Sequence, residues 1–178
     1  MYLPDGLIPA KAGIQKEGKP MNLKAKSRAL NDFCYGLYVL TTHRGNEVNG
    51  ITASWVSQVS FEPPLVMVAV DQSRYTHGMI EESGVFAINV LRDDQEELAK
   101  HFIIPKWKLG DKFKGIPYRR GSTGSPILES ASAFVECKVI AKYTPGDHTL
   151  FIGEVIDAGP MNEGRPLCVM DTPLSYSG

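Results

Sequence analysis

Four short groups in this 178-residue chain carry residue types that can do chemistry. The first is Thr52-Ala53-Ser54-Trp55, set in residues 49–70 (NGITASWVSQVSFEPPLVMVAV). Side chains this small let the backbone approach a flat ligand, and pre-aimed N–H donors there stabilise negative charge on a ligand edge without reorganising. A half-buried strand with hydroxyls on its wet face has the same composition. The second group, Ser73-Arg74-Tyr75-Thr76-His77, stands before a helix. The first amides of a helix lack internal acceptors, so an anion placed there meets free donors, the positive end of the dipole and the Arg74 guanidinium. A plain helix start capped by Thr76 uses the same residues. The third is Asn89, polar inside Phe86-Ala87-Ile88-Asn89-Val90; once buried it must find partners, from turn backbone or from a ligand. The fourth is Gly146-Asp147-His148, where the carboxylate can fix a turn or the imidazole tautomer.

These groups need elements to hold them. Residues 1–20, rich in Gly, Pro and Lys and without an apolar period, read as an N-terminal arm, and residues 21–178 as one domain. Asn22 can cap a helix carrying Leu23, Leu30 and Phe33 and closed by Tyr35-Gly36. Strands are predicted over 37–43, 48–54, 55–61 and 65–70, with a turn at Arg44-Gly45-Asn46-Glu47 and a corner at Glu62-Pro63-Pro64, whose prolines cannot donate to a ladder. A short helix over 75–83, with Met79 and Ile80 inward, precedes a strand over 85–91. A second helix over 94–102 opens on acidic residues that suit its N-terminus. Residues 103–125 read as a long loop. Over 133–143, Val135, Cys137, Val139 and Ala141 alternate with Glu136, Lys138, Ile140 and Lys142, the pattern of a strand with one wet face, and 150–157 returns beside it. Many strands without regular strand–helix alternation argue for an antiparallel barrel rather than a Rossmann sheet.

Composition narrows the function. A net charge of −1 with 22% charged residues gives no field to gather nucleic acid or anionic lipid. The longest apolar run, about residues 63–70, falls far short of the ~20 residues of a membrane helix, so neither nucleic acid nor membrane is an expected partner and the expected location is cytoplasmic. Cys34, Cys137 and Cys168 are far apart, and His43, His77, His101 and His148 follow no ligand spacing, so no metal site is expected.

In this order the four groups resemble the flavin reductase-like family of FMN-binding split barrels. The resemblance extends to Gln58-x-Ser60-Phe61-Glu62-Pro63-Pro64-Leu65, Ser125-Pro126-Ile127-Leu128-Glu129 and Glu136-Cys137, over about residues 22–167. It is nearest in character to flavoredoxin-like proteins and to the reductase modules fused to rubredoxin or flavodiiron domains. No rubredoxin cysteines follow Val169, residues 1–20 have no counterpart in the pattern, and no G-x-G-x-x-G is present. The resemblance implies a mainly β fold, a six-stranded antiparallel Greek-key split barrel with a few short helices. It also implies a homodimer with the flavin site at the subunit boundary. FMN would be bound without a covalent link, its phosphate at Ser73, Arg74 and Thr76, its ring at Thr52, Ala53, Ser54 and Trp55, with Asn89 and Phe102 beside it. NADH or NADPH would be the donor. His148 is the catalytic candidate, placed by the family at the mouth of the site; hydride transfer itself needs no protein acid or base, so its expected part is orientation. The implied function is an NAD(P)H-dependent flavin reductase passing electrons to free flavin or to a separate iron or flavin protein. The alternative is a flavoredoxin-like FMN electron carrier, reduced by another protein.

Overall fold

The β-branched, alternating stretch of residues 37–70 forms four strands in close succession in a computed structural model that describes residues 22–174. The expected arm, residues 1–20, lies outside the described residues. Helix α1 (Leu23–Asn31) is capped by Asn22, whose side chain accepts from the N–H groups of Lys24 and Ala25 at 3.1 and 3.2 Å. It ends before the expected Tyr35-Gly36 stop, and Gly36 instead pairs with Cys168 as extended chain.

From Cys34 onward the chain is one unit built on a sheet. Strands β1 (Tyr38–Arg44) and β2 (Glu47–Ala53) are joined by a two-residue turn in which Gly45 takes a left-handed φ of 57°. Strands β3 (Val56–Ser60) and β4 (Leu65–Asp71) flank the expected proline corner. Helix α2 (Tyr75–Ser83) stops at Gly84, φ 68°, which turns the chain into β5 (Val85–Val90). Helix α3 (Glu96–Ile103) follows. The stretch read as a bare loop then contains a one-turn α4 (Lys106–Leu109) and β6 (Tyr118–Arg120), which pairs with β7 (Pro126–Leu128). The long strands β8 (Ala133–Tyr143) and β9 (His148–Pro160) complete the unit.

The main sheet is antiparallel throughout, in the order β2-β1-β5-β8-β9-β4-β3. It has seven strands rather than six, and its outer strands β2 and β3 are not hydrogen-bonded to each other, so the barrel stays open. The break falls where the chain leaves the β1 ladder after Ala53 and re-enters pairing at Val56, which leaves Ser54 and Trp55 at the split. Both faces of the curved sheet are covered. Leu40, Val68, Ile80, Phe86 and Phe151 fill one side, while Val39, Leu91, Phe102, Phe113 and Leu128 fill the other. Adjacent residues of β1 are therefore both buried, which hides its alternation.

The expected wet face of β8 is corrected at one position. Glu136 is fully buried, because a bulge between Glu136 and Cys137 shifts the register and the loop at 121–125 closes over its carboxylate. That carboxylate accepts from the N–H groups of Ser122 and Thr123 at 2.9 and 2.8 Å and from the Thr123 hydroxyl. Bare backbone at Gly121 makes this approach possible, since a Cβ there would overlap the carboxylate. Beyond the bulge, Cys137 packs in the core against Phe86, and burial pushes its thiol up to about 12.

Candidate functional site

Register brings three of the four sequence groups to one end of the sheet. Because β4 pairs with β9 through Asp71 opposite His148, the end of β4 and the start of β9 share an edge with the split at Trp55. The carbonyl of Trp55 accepts from Ala69 at 3.0 Å, which ties the split to β4. Directly after β4, the Asp71 carboxylate accepts from the Ser73 N–H at 2.8 Å and stands 3.8 Å from the Arg74 guanidinium. The Ser73 N–H is the leading cause that holds Asp71 below the usual carboxylate range, with Arg74 and His148 adding to it. Arg74, not Thr76, occupies the cap position of α2 and makes no side-chain capping bond.

Two cavities meet here. The first is a slot of about 130 Å³ lined by Thr52, Ala53, Ser54 and Trp55, with Ala69 and Phe102 among its walls. The second is a chamber of about 640 Å³ lined by Ser73, Arg74 and Thr76 together with Asn49, Lys106 and Lys112. Arg74 and the apolar Ile51 and Ile103 line both. The Thr52 hydroxyl is spent on the Ala99 carbonyl at 2.6 Å, so what Thr52 offers the slot is backbone and methyl. Thr76 is fully buried, and its hydroxyl accepts from the Asn49 amide at 2.8 Å.

His148 lines neither cavity but lies against Trp55, ring centroids 4.8 Å apart. Its Nδ1 is 2.7 Å from the Asp147 carboxylate, which is pulled below its ordinary range chiefly by that hydrogen bond. Because a carboxylate only accepts, this contact places a proton on Nδ1.

Asn89 is not brought to the site. It is fully buried within the sheet; its amide donates to the carbonyls of Val39 and Pro126 and to Thr41, while its oxygen accepts from the Leu128 N–H at 2.7 Å. That side chain welds β7 to the sheet. Phe102 is both core and wall, being fully buried and among the residues that line the slot.

Sequence reading missed Asn49, Lys106 and Lys112. Asn49 sits three residues before Thr52 on β2, in a position that looks like a wet strand face, yet it is 2% exposed. The lysines come from the stretch read as loop, where no spacing marks them. Lys106 reaches back to Glu47 on β2, and Glu47 also accepts from Arg44 and from the Tyr75 hydroxyl. Arg44 and Lys106 both lie over the Tyr75 ring, at 5.2 and 4.8 Å from its centroid.

The geometry has known counterparts. Residues 30–176 match the model of the flavin reductase like domain. A ferric-chelate reductase (NAD(P)H) of Archaeoglobus fulgidus is 33% identical over 146 residues, 81% of this chain and 86% of that protein. A high molecular weight rubredoxin of Moorella thermoacetica is 33% identical over 143 residues, 79% of this chain but 62% of that longer protein. Among solved structures, the Streptomyces globisporus NADH:FAD oxidoreductase in complex with NAD and FAD fragments superposes with a TM-score of 0.76 at 32% identity, covering 84% of this chain and 89% of that one. With its split sheet, its slot at the split and its sequence matched over nearly the whole described region, the chain belongs to the flavin reductase like family.

Proposed function

We propose that the chain is an NAD(P)H-dependent flavin reductase that holds FMN across the two cavities. The observation that carries this reading is Arg74, which lines both the apolar slot and the cationic chamber. A flat ring with an anionic tail needs that pair of environments in that order. The ring would lie on Ala53, Ser54 and Trp55, where the chain leaves the ladder, and the phosphate would lie at Ser73, Arg74 and Thr76, at the start of α2. Asn49 supports the fit. Its side-chain oxygen is buried and makes no hydrogen bond among the described residues, and a ribityl hydroxyl running between ring and phosphate is a donor of the kind it lacks.

When bound, the flavin supplies the hydride acceptor. The chain's own contribution is to hold the ring edge with backbone donors, to keep the phosphate end fixed, and to orient the incoming nicotinamide with His148, whose tautomer Asp147 sets. A slot of about 130 Å³ is too small to enclose a tricyclic ring, so the outer face needs another cover. A second copy of the chain supplies it in this reading: a homodimer with the site at the boundary.

Anaerobic mixing of the FMN-loaded protein with NADH, and separately with NADPH, tests the proposal through loss of flavin absorbance. Bleaching within seconds by either nucleotide is the expected result. His148→Ala should slow it severalfold while FMN stays bound. Reduction by dithionite or a reduced iron protein, but by neither nucleotide, would overturn the enzyme reading in favour of an electron carrier.

A further inference from the structure

Lys112 has no part in the reading above and is the least expected charge in the molecule. Its side chain is 2% exposed, and its ammonium donates to the carbonyls of Gly50 on β2 and Phe102 in the last turn of α3, both at 2.9 Å. Those two bonds leave one of its three N–H donors over. No ion pair to a carboxylate is found for it among the described residues, in contrast to Arg74 with Asp71 and Lys106 with Glu47. The charged groups facing it are cations, Arg74 from the start of α2 and Lys106 from α4; from α3, His101 bonds to its backbone carbonyl. A buried charge set among like charges is costly unless something balances it. The chamber it lines has three cations around a volume far larger than a water molecule. Beside them lies the buried Asn49 oxygen that no donor of the described chain reaches.

We propose that Lys112 is the buried anchor of a nucleotide-phosphate site in this chamber, acting with Arg74 and Lys106 on the same anion, and that it sets the preference for phosphorylated over unphosphorylated flavin. The proposal rests on the flavin reading for the identity of the ligand, but not for the presence of an anion site. Burial, with Arg74 and Lys106 adding to it, lowers the Lys112 ammonium to about 8. An anion beside it favours the charged form, so binding takes up a proton wherever the free protein has already lost it. Phosphate preference therefore falls as pH rises from 7 to 10, a range in which the phosphate monoester stays a dianion.

The test is the dissociation constant of FMN and of riboflavin for the wild type, Lys112→Met and Lys112→Arg at pH 7 and pH 10, with thermal melting in inorganic pyrophosphate alongside. The wild type should prefer FMN to riboflavin at pH 7 and lose most of that preference by pH 10. Lys112→Met should weaken FMN about tenfold or more and riboflavin less than twofold, because one charge-assisted contact is lost and the ring contacts are kept. Lys112→Arg should retain the preference at both pH values. Equal losses for FMN and riboflavin in Lys112→Met, or no loss for either, would reduce Lys112 to a structural pin and overturn the proposal. Should Lys112→Met fail to fold, a wild-type preference that is flat from pH 7 to 10 overturns it as well. If neither flavin binds, the flavin reading falls by itself. The anion site then stands if pyrophosphate raises the melting temperature of the wild type and not of Lys112→Met, and is overturned if it raises neither.

Discussion

Arg74 and Asn89 separate what a polar side chain does at the site from what it does for the fold. Arg74 is half-exposed, tethered by Asp71 at 3.8 Å, and shared by both cavities. Arg74→Ala should weaken FMN binding by about 1.5–3 kcal/mol, the cost of losing one charge-assisted hydrogen bond. Riboflavin binding should change little, and fluorescence titration of both flavins checks this. Asn89→Ala should behave in the opposite way. Removing the amide leaves the buried Leu128 N–H and three oxygens without their partner, so denaturant unfolding should show a loss of about 2–3 kcal/mol. Flavin affinity of the protein that remains folded should stay within twofold.

At the scale of elements, α4 is one turn long, and its few backbone bonds, Leu109 N–H to Pro105 and Gly110 N–H to Lys106, are too few to hold a helix alone. Its tether is Lys106 to Glu47 on β2, in the cluster with Arg44 and Tyr75. Lys106, then Tyr75, hold the Glu47 carboxyl at about 2, below its ordinary 4.5. A carboxylate depressed in this way contributes stability that is fully present above pH 4.5 and is lost as pH falls towards 2. Because about a third of the side chain is exposed, solvent screening limits the contribution to about 1 kcal/mol. Glu47→Gln should therefore melt below the wild type at pH 7, and the two melting curves should converge between pH 4.5 and 2. Faster amide exchange in residues 103–112 of the variant would tie that loss to α4.

For the whole molecule, the open edge between β2 and β3 sets the expectation. An unclosed barrel leaves a small slot exposed where a large planar ligand would need cover. Light scattering at micromolar concentration should give twice the chain mass. A monomer that keeps FMN tightly bound would show that one copy completes the site unaided.

The sequence by itself determined the family and most of the elements in order, but not α4, β6 or β7. Glycine and proline punctuation together with period-two runs decide strands locally, and α2 and β8 fall on the expected bounds, Tyr75–Ser83 and Ala133–Tyr143. Thr52 through Trp55 and Ser73 through Thr76 were legible because a small-residue strand end and a helix start are local features. Tertiary structure alone decided the rest. A single bulge turned Glu136 from a wet-face residue into a buried acceptor, since shifting a strand by one residue exchanges its faces. Packing of β7 against the sheet spent the amide of Asn89 on the backbone of Val39, Pro126 and Leu128, and Asn89 lines neither of the two cavities. Lys112 came to line the chamber because packing folds its segment back onto β2 and α3, a contact with Gly50 that no spacing in the chain encodes.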